Sequence, residues 1–446
     1  MKSPTTTGYP SQRYAWYVVS VLTIAYISSF IDRQILSLLV EPIKADFDIS
    51  DTQMSLLIGM SFALFYTLMG LPIGRLVDSK NRRNIIAAGI AIWSVMTAAG
   101  GLVKNFWSFF AARIGVGIGE AALSPAAYSI ISDYFPKNKR ATAIGFYSMG
   151  IFIGASMAYL LGGWIIGYTE AYEAIELPLI GAVKPWQLVF ILLGVPGLLI
   201  ALLLFTIKEP VRRTLDGAVK TEAQESVPFS VLWAHFKSHG TTYLYLNLGI
   251  GIWSILTYGS GAWEPTFLMR TFGYSIQEAG VTMGVMLLVF STVGVFFGGW
   301  VADRFLKKGR TDAKIRVILW SILLSIPTGI IYPAIQNETG MLISLAFFLF
   351  LTKAPIGLAA AAIQEITPNE MRGQASAVYL FFLNLIGLGL GPTAVALLTD
   401  FVFQDESMLR YSILSIGLFA GVGSAFCFWK CLRPYRESVG GKSVSR

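Results

Sequence analysis

Twelve apolar runs, each close to the length needed to cross a bilayer, dominate this 446-residue chain. They lie near 16–40, 52–76, 84–102, 107–130, 139–163 and 187–206, then 242–268, 277–302, 314–333, 341–364, 371–398 and 407–430. A helix of roughly 20 apolar residues spans the hydrocarbon core, and it satisfies its own backbone polar groups there. Composition agrees: 54% of residues are apolar and 13% charged, too little charge for a soluble surface and too much apolar content for disorder. The first run lacks a small-residue cleavage site after it and reads as a retained span. The expected fold is an all-α membrane protein with 12 transmembrane helices. A first six-helix bundle covers 1–206, a cytoplasmic linker 207–241 and a second bundle 242–446. Cys427 and Cys431 are too few for a disulfide framework and carry no metal-ligand spacing, so neither metal nor cofactor is expected.

Basic residues orient the spans. With both termini on one side, that side collects 26 of the 34 Lys and Arg residues. The opposite side holds five: Lys44, Lys104, Lys184, Arg270 and Arg410. The positive-inside rule then puts both termini in the cytoplasm. It also accounts for the net charge of +8 without a nucleic-acid partner.

The halves echo one another. After span 2 the chain reads Gly74-Arg75-Leu76-Val77-Asp78 with Arg82-Arg83; after span 8 it reads Gly299-Trp300-Val301-Ala302-Asp303 with Lys307-Lys308, in the same order and spacing. Asp133, Pro136 and Arg140 follow span 4, and Glu365, Pro368 and Arg372 follow span 10 at matching intervals. Parallel six-span repeats are the pattern of transporters whose two bundles rock about a site. The Gly74–Arg83 and Gly299–Lys308 segments resemble the signature loops of the major facilitator superfamily, a resemblance that extends over nearly the whole chain. It implies the two-bundle fold of that superfamily, alternating access, no enzymatic activity, and a cytoplasmic gate built from Gly74, Arg75, Asp78, Arg82, Asp133, Arg140, Gly299, Asp303, Glu365 and Arg372. The residues themselves allow such a latch, because Asp78 can cap a helix N-terminus or pair with Arg140 or Arg75. Solvated loop charges are the plainer alternative.

Ionisable groups at membrane depth cost about 2.5–3.5 kcal/mol each on insertion scales and are rarely kept without a use. Span 1 carries Asp32-Arg33, and span 4 carries Arg113-Ile114-Gly115-Val116-Gly117-Ile118-Gly119-Glu120. Arg113 and Glu120 share one helix face about 10.5 Å apart along the axis, too far for a direct pair. Asp32 and Arg33, being adjacent, serve different neighbours. Two uses remain open: a buried salt-bridge cluster that orients spans 1 and 4, or a polar site. The spans contain no histidine, so proton binding at depth falls to carboxylates, with Asp32 and Glu120 central. Burial and a nearby arginine act on a carboxyl in opposite directions, which lets its protonation follow the movement of the arginine.

Ile31-Asp32-Arg33-Gln34, together with Glu120, resembles the spinster branch of the superfamily, and Arg113 fits the span 4 arginine of many proton-coupled members. Spinster-like members move lysolipids, including sphingosine-1-phosphate in animals. The resemblance implies Glu120 and Asp32 as proton-coupling groups and Asp32, Arg33, Arg113 and Glu120 as central-cavity charges. The antiporter pattern of span 5 would place a Gly-Pro pair near its middle; here the chain has Gly154-Ala155, so antiport does not follow.

The second half is less charged. Lys353 precedes Pro355 in span 10 and can meet an anionic head group or serve structurally; Asn247, Tyr258 and Asn384 add neutral hydrogen-bonding groups. Glu264, followed by Pro265 near the outer end of span 7, suits an extracellular gate. The expected substrate is a lysolipid or similar amphiphile with a charged head group, carried with protons; a small organic anion such as a sugar acid or aromatic acid is the alternative. The expected setting is a monomer in the lipid bilayer of a cell membrane, multi-pass, in a bacterial inner membrane. Asn337-Glu338-Thr339 matches a glycosylation acceptor in an outer loop and speaks for other settings. No Gly-rich phosphate loop supports ATP-driven transport, and no nucleophile–base pair lies at depth.

Overall fold

The long apolar runs form helices because nothing else satisfies backbone N–H and C=O groups away from water. The structure is a computed structural model and describes residues 9–178, 180–213, 229–368 and 371–440. Eleven helices among them are long and apolar enough to cross a membrane: Gln12–Ser37, Asp51–Ser79, Arg82–Gly100, Phe106–Tyr134, Lys137–Thr169, Pro185–Leu204, Ile276–Lys307, Ala313–Ala334, Glu338–Ile366, Arg372–Phe403 and Glu406–Gly440. The run expected at 242–268 is a further helix, Gly240–Phe272, of 33 residues. The chain is a multi-pass membrane protein.

Two elements were not expected. A short antiparallel hairpin pairs Ile175–Leu177 with Gly181–Val183 between spans 5 and 6. The polar stretch between the halves contains a helix, Phe229–Ser238. Its 214–228 portion, with Lys220, lies outside the described residues.

The helices start where side chains cap them. Ser50 and Ser275 each form a capping box, with Gln53 and Glu278. They open spans 2 and 8, in the same register as the loop motifs that close those spans. Asn105 and Asn337 cap the starts of spans 4 and 10, again in register with the acid, proline and arginine that follow. The repeat is therefore carried by helix starts as well as by the loop motifs.

The chain divides into two units: Met1–Ile49 with Ser61–Gln224, and Ser50–Met60 with Glu225–Arg446. In the first, helix Gln12–Gln34 lies along Lys137–Thr169, and Arg82–Gly100 along Pro185–Leu204. In the second, Gly240–Phe272 lies along Leu409–Gly440, which also flanks Ala313–Ala334. The opening residues of span 2 are built into this second unit. Asp51, 0% exposed, accepts two hydrogen bonds from Arg270, at 2.7 and 2.9 Å. The Thr52 N–H donates to Asp400 at 2.7 Å, and Ser55 Oγ to Thr393 Oγ1 at 3.2 Å. A π-helical segment, Leu56–Met60, follows and joins the α-helix Ser61–Ser79 of the first unit.

Candidate functional site

Span 4 of the first unit is interrupted where its acid stands. Helix Phe106–Glu120 ends on Glu120, and Leu123–Tyr134 resumes after a turn. Two of its glycines, on different sides of the helix, are required for close approach. A Cβ at Gly117 would fall 2.7 Å from the Phe62 carbonyl oxygen, and one at Gly119 would fall 2.7 Å from Gly89 O and Trp93 N. Small residues let neighbouring backbones reach this helix.

Glu120 is met by span 1. Arg33 Nε donates to Glu120 Oε2 at 2.5 Å, and Ser29 Oγ donates to the same oxygen at 2.6 Å. Ser29 and Arg33 are four residues apart and so share a helix face. The Glu120 side chain is 0% exposed and that of Arg33 15%. Around the guanidinium stand Phe62, Tyr66 and Phe30, with ring centroids at 4.7, 4.8 and 5.0 Å. Such rings stabilise a cation through their negative faces while excluding water.

Asp32 and Arg113 stand beside this pair. Arg113 Nη1 donates to the Asp32 backbone carbonyl at 3.3 Å, and its guanidinium lies 5.6 Å from the Phe62 ring centroid. Asp32 is 1% exposed, and neither of its carboxylate oxygens accepts a hydrogen bond of normal geometry; Glu120 Oε1 likewise lacks a donor. The electrostatic neighbours of Asp32 are Glu120, Arg113 and Arg33. The four charges of spans 1 and 4 thus lie together in one unit, as two acids and two cations. Ser29 and the ring trio were not among the expected residues. Ser29 at four residues before Arg33, and Phe62 four before Tyr66, are the helical spacings that carry the signal.

In the second unit, Lys353 ends helix Glu338–Lys353, and Glu264 is 1% exposed within Gly240–Phe272. Asn247 is buried, with Nδ2 donating to the Tyr243 carbonyl at 2.9 Å and Oδ1 without a donor. Tyr258 is half-buried, and Asn384 is buried in the π segment Phe382–Leu390. Among the described residues, no three His, Cys, Asp or Glu side chains converge as metal ligands.

The loop motifs differ between the units. Asp78, Arg75 and Asp303 are exposed, and Gly74 and Gly299 are half-buried. Arg82 is 0% exposed and bonds Asp133 at 2.5 Å and Glu209 at 2.7 Å. Arg140 donates to the Ser132 carbonyl at 3.0 Å, and Arg372 to the Gln364 carbonyl at 3.0 Å. Glu365 accepts from Lys314 at 2.6 Å and from Tyr435 at 2.5 Å.

A membrane-embedded chain of two like halves, with charged side chains sunk among its helices, is built as a transporter. It belongs to the Major Facilitator Superfamily, whose model matches residues 22–392 and 260–445. Its fold is similar to that of a bacterial homologue of the human lysosomal transporter spinster, solved in an inward-facing and unoccupied conformation. That likeness has a TM-score of 0.82 and 29% identity, covering 96% of this chain and 99% of the other. An MFS-type efflux pump of Mycolicibacterium smegmatis is 27% identical over 96% of this chain and 95% of its own. A D-galactonate transporter of Escherichia coli is 26% identical over 91% of this chain and 92% of its own. The relatives are transporters, and the chain is a transporter and not an enzyme.

Proposed function

We propose that the chain is a proton-coupled secondary transporter working by alternating access, with Asp32 and Glu120 as the proton-binding groups and Arg33 and Arg113 as contacts for an anionic group. The observation that carries this reading is Asp32: a carboxylate 1% exposed with no donor of normal geometry to either oxygen. Burying a carboxylate whose oxygens lack well-placed donors costs far more than burying a neutral acid, so a proton is the simplest way to lower that cost. Arg33 is bound to Glu120 in this state, and its release in another state would change the proton affinity of that carboxyl. The substrate we favour is a lysolipid or similar amphiphile with a charged head group, which the likeness to the bacterial spinster homologue supports. A small organic anion is the second reading, supported by the likeness to the D-galactonate transporter. Arg33 and Arg113 suit both.

Asp78 and its repeat Asp303 act, in this reading, as cytoplasmic gate groups; their exposure leaves them open to partners in another state. A bacterial inner membrane is the proposed setting.

Proteoliposomes with an imposed pH gradient test the function. Lysophospholipid is expected to move in response to the gradient, and galactonate is run in parallel to decide between the two substrate classes. Glu120→Gln and Asp32→Asn are expected to remove the gradient-driven component while the purified proteins stay monodisperse. Full gradient-driven uptake by either variant would refute its assignment.

A further inference from the structure

The second unit holds a buried acid and a half-buried cation that the chemistry above does not use. Glu264, 1% exposed in helix Gly240–Phe272, faces Lys353 at the end of helix Glu338–Lys353, and the two attract one another. Tyr332, 0% exposed in helix Ala313–Ala334, faces Glu264 as well. Ser260, one turn before Glu264, lies beside the Tyr332 hydroxyl. Neither the Tyr332 Oη nor the Ser260 Oγ makes a hydrogen bond of normal geometry. Among the described residues, the titratable groups set against Glu264 are therefore Lys353 from span 10 and Tyr332 from span 9.

The repeat gives this pair its meaning. Asn105 and Asn337 start spans 4 and 10 at equivalent places in the two halves. Both spans break part-way, after Glu120 in one and after Lys353 in the other, with new helices at Leu123–Tyr134 and Pro355–Ile366. At the first break stands an acid bound by a cation from the first span of its own unit. At the second stands a cation facing an acid from the first span of its unit. The signs are exchanged and the architecture is kept.

We propose that Glu264 is a second proton-binding site, with Lys353 as its counter-charge. It extends the coupling proposed above but does not require Glu120 to titrate. The step is a proton transfer: one O–H bond of a hydronium ion breaks, an O–H bond forms on a Glu264 carboxylate oxygen, a water molecule leaves, and the pair changes from net zero to +1. The Ser260 and Tyr332 hydroxyls suit both states. They can donate to the carboxylate and can accept from the protonated acid. Lys353, no longer balanced by a carboxylate, then becomes an attractive partner for an anion.

Infrared difference spectroscopy of the purified full chain in lipid nanodiscs, stepped through pH, reads protonated carboxyls directly by their C=O stretch. A titrating band is expected in the parent protein, in Glu120→Gln and in Asp32→Asn, and is expected to vanish in Glu264→Gln. In Lys353→Met the same band is expected to titrate with a midpoint displaced by about one pH unit or more, a tenfold change in proton affinity. An unchanged spectrum in Glu264→Gln, or an unmoved midpoint in Lys353→Met, overturns the proposal. Should Glu264→Gln not purify as a monodisperse protein, Glu264→Asp decides the matter by whether the band changes frequency. A missing Glu120 band with the Glu264 band intact would count against the first site alone.

Discussion

Arg82→Met is expected to lower the thermal unfolding midpoint of the purified protein by several degrees, while Lys307→Met leaves it unchanged. The two residues occupy the same place in the repeat. Their surroundings differ. Arg82 is 0% exposed and donates to Asp133 at 2.5 Å, Glu209 at 2.7 Å, Ser129 at 2.7 Å and the Pro210 carbonyl at 3.0 Å. It gathers one end each of spans 3, 4 and 6. Both acids are also tied to backbone, Asp133 by the Arg213 N–H at 2.9 Å and Glu209 by the Arg83 N–H at 3.0 Å. They therefore stay in place when the arginine goes, as two facing carboxylates without their shared cation. Removing one partner of a buried ion pair costs about 3–5 kcal/mol. The Glu209 side chain is 24% exposed, which places the expected loss toward the lower end. Lys307 is exposed, and a substitution there removes no buried partner. An Arg82→Met midpoint equal to that of the parent would show that these bonds add nothing to stability. Arg82→Lys is expected to fall between, since one ammonium cannot serve four acceptors held by a planar fork.

Arg33→Gln is expected to be more damaging than Arg33→Gln combined with Glu120→Gln. Alone, it leaves the Glu120 carboxylate at 0% side-chain exposure with Ser29 as its remaining hydrogen-bond donor and only the more distant field of Arg113. It also takes a cation out of the cage of Phe30, Phe62 and Tyr66. The second substitution removes the stranded charge. Side chains that share one interaction depart from additivity by about 0.5–3 kcal/mol, and the sign here is a rescue. Unfolding midpoints of the parent, the two single variants and the double variant form the complete cycle. Additive losses would mean that the pair contributes no coupling. Stability and transport separate in this cycle, because the double variant regains its fold and still lacks the Glu120 proton site.

Much of the fold was legible because hydropathy alone locates a helix that must cross a bilayer. The repeat was legible through loop residues such as Asp78 and Asp303. It is equally plain in Ser50 and Ser275 or Asn105 and Asn337, whose capping role follows from residue type and position. The charges of spans 1 and 4 stood out because each is an exception in an apolar run. Their partners did not, because pairing depends on helix rotation and on the break after Glu120. Spacing along span 4 keeps Arg113 from Glu120, but nothing along the chain says that Arg33 of span 1 is the cation that reaches the acid. The same limit hid the setting of Glu264. Its place beside Pro265 suggests a span end, whereas the structure buries it against Lys353 and Tyr332. Asp51 and Arg270 read as ordinary outer-loop charges, since a two-bond ion pair between residues so far apart in the chain leaves no local pattern.

Span 2 belongs to both bodies. Its opening turns are fastened to the second unit through Asp51, Thr52 and Ser55, and everything after Met60 belongs to the first. A rod fastened at its ends to two bodies becomes a strain gauge when either moves. The weakest stretch of that rod is the π-helical segment Leu56–Met60, where the regular ladder is already broken. Bending of span 2 would concentrate there, and its opening turns stay with the second unit as long as Asp51 holds Arg270. The pliant joint of this span is thus five residues, Leu56–Met60, none of which carries an ionisable side chain.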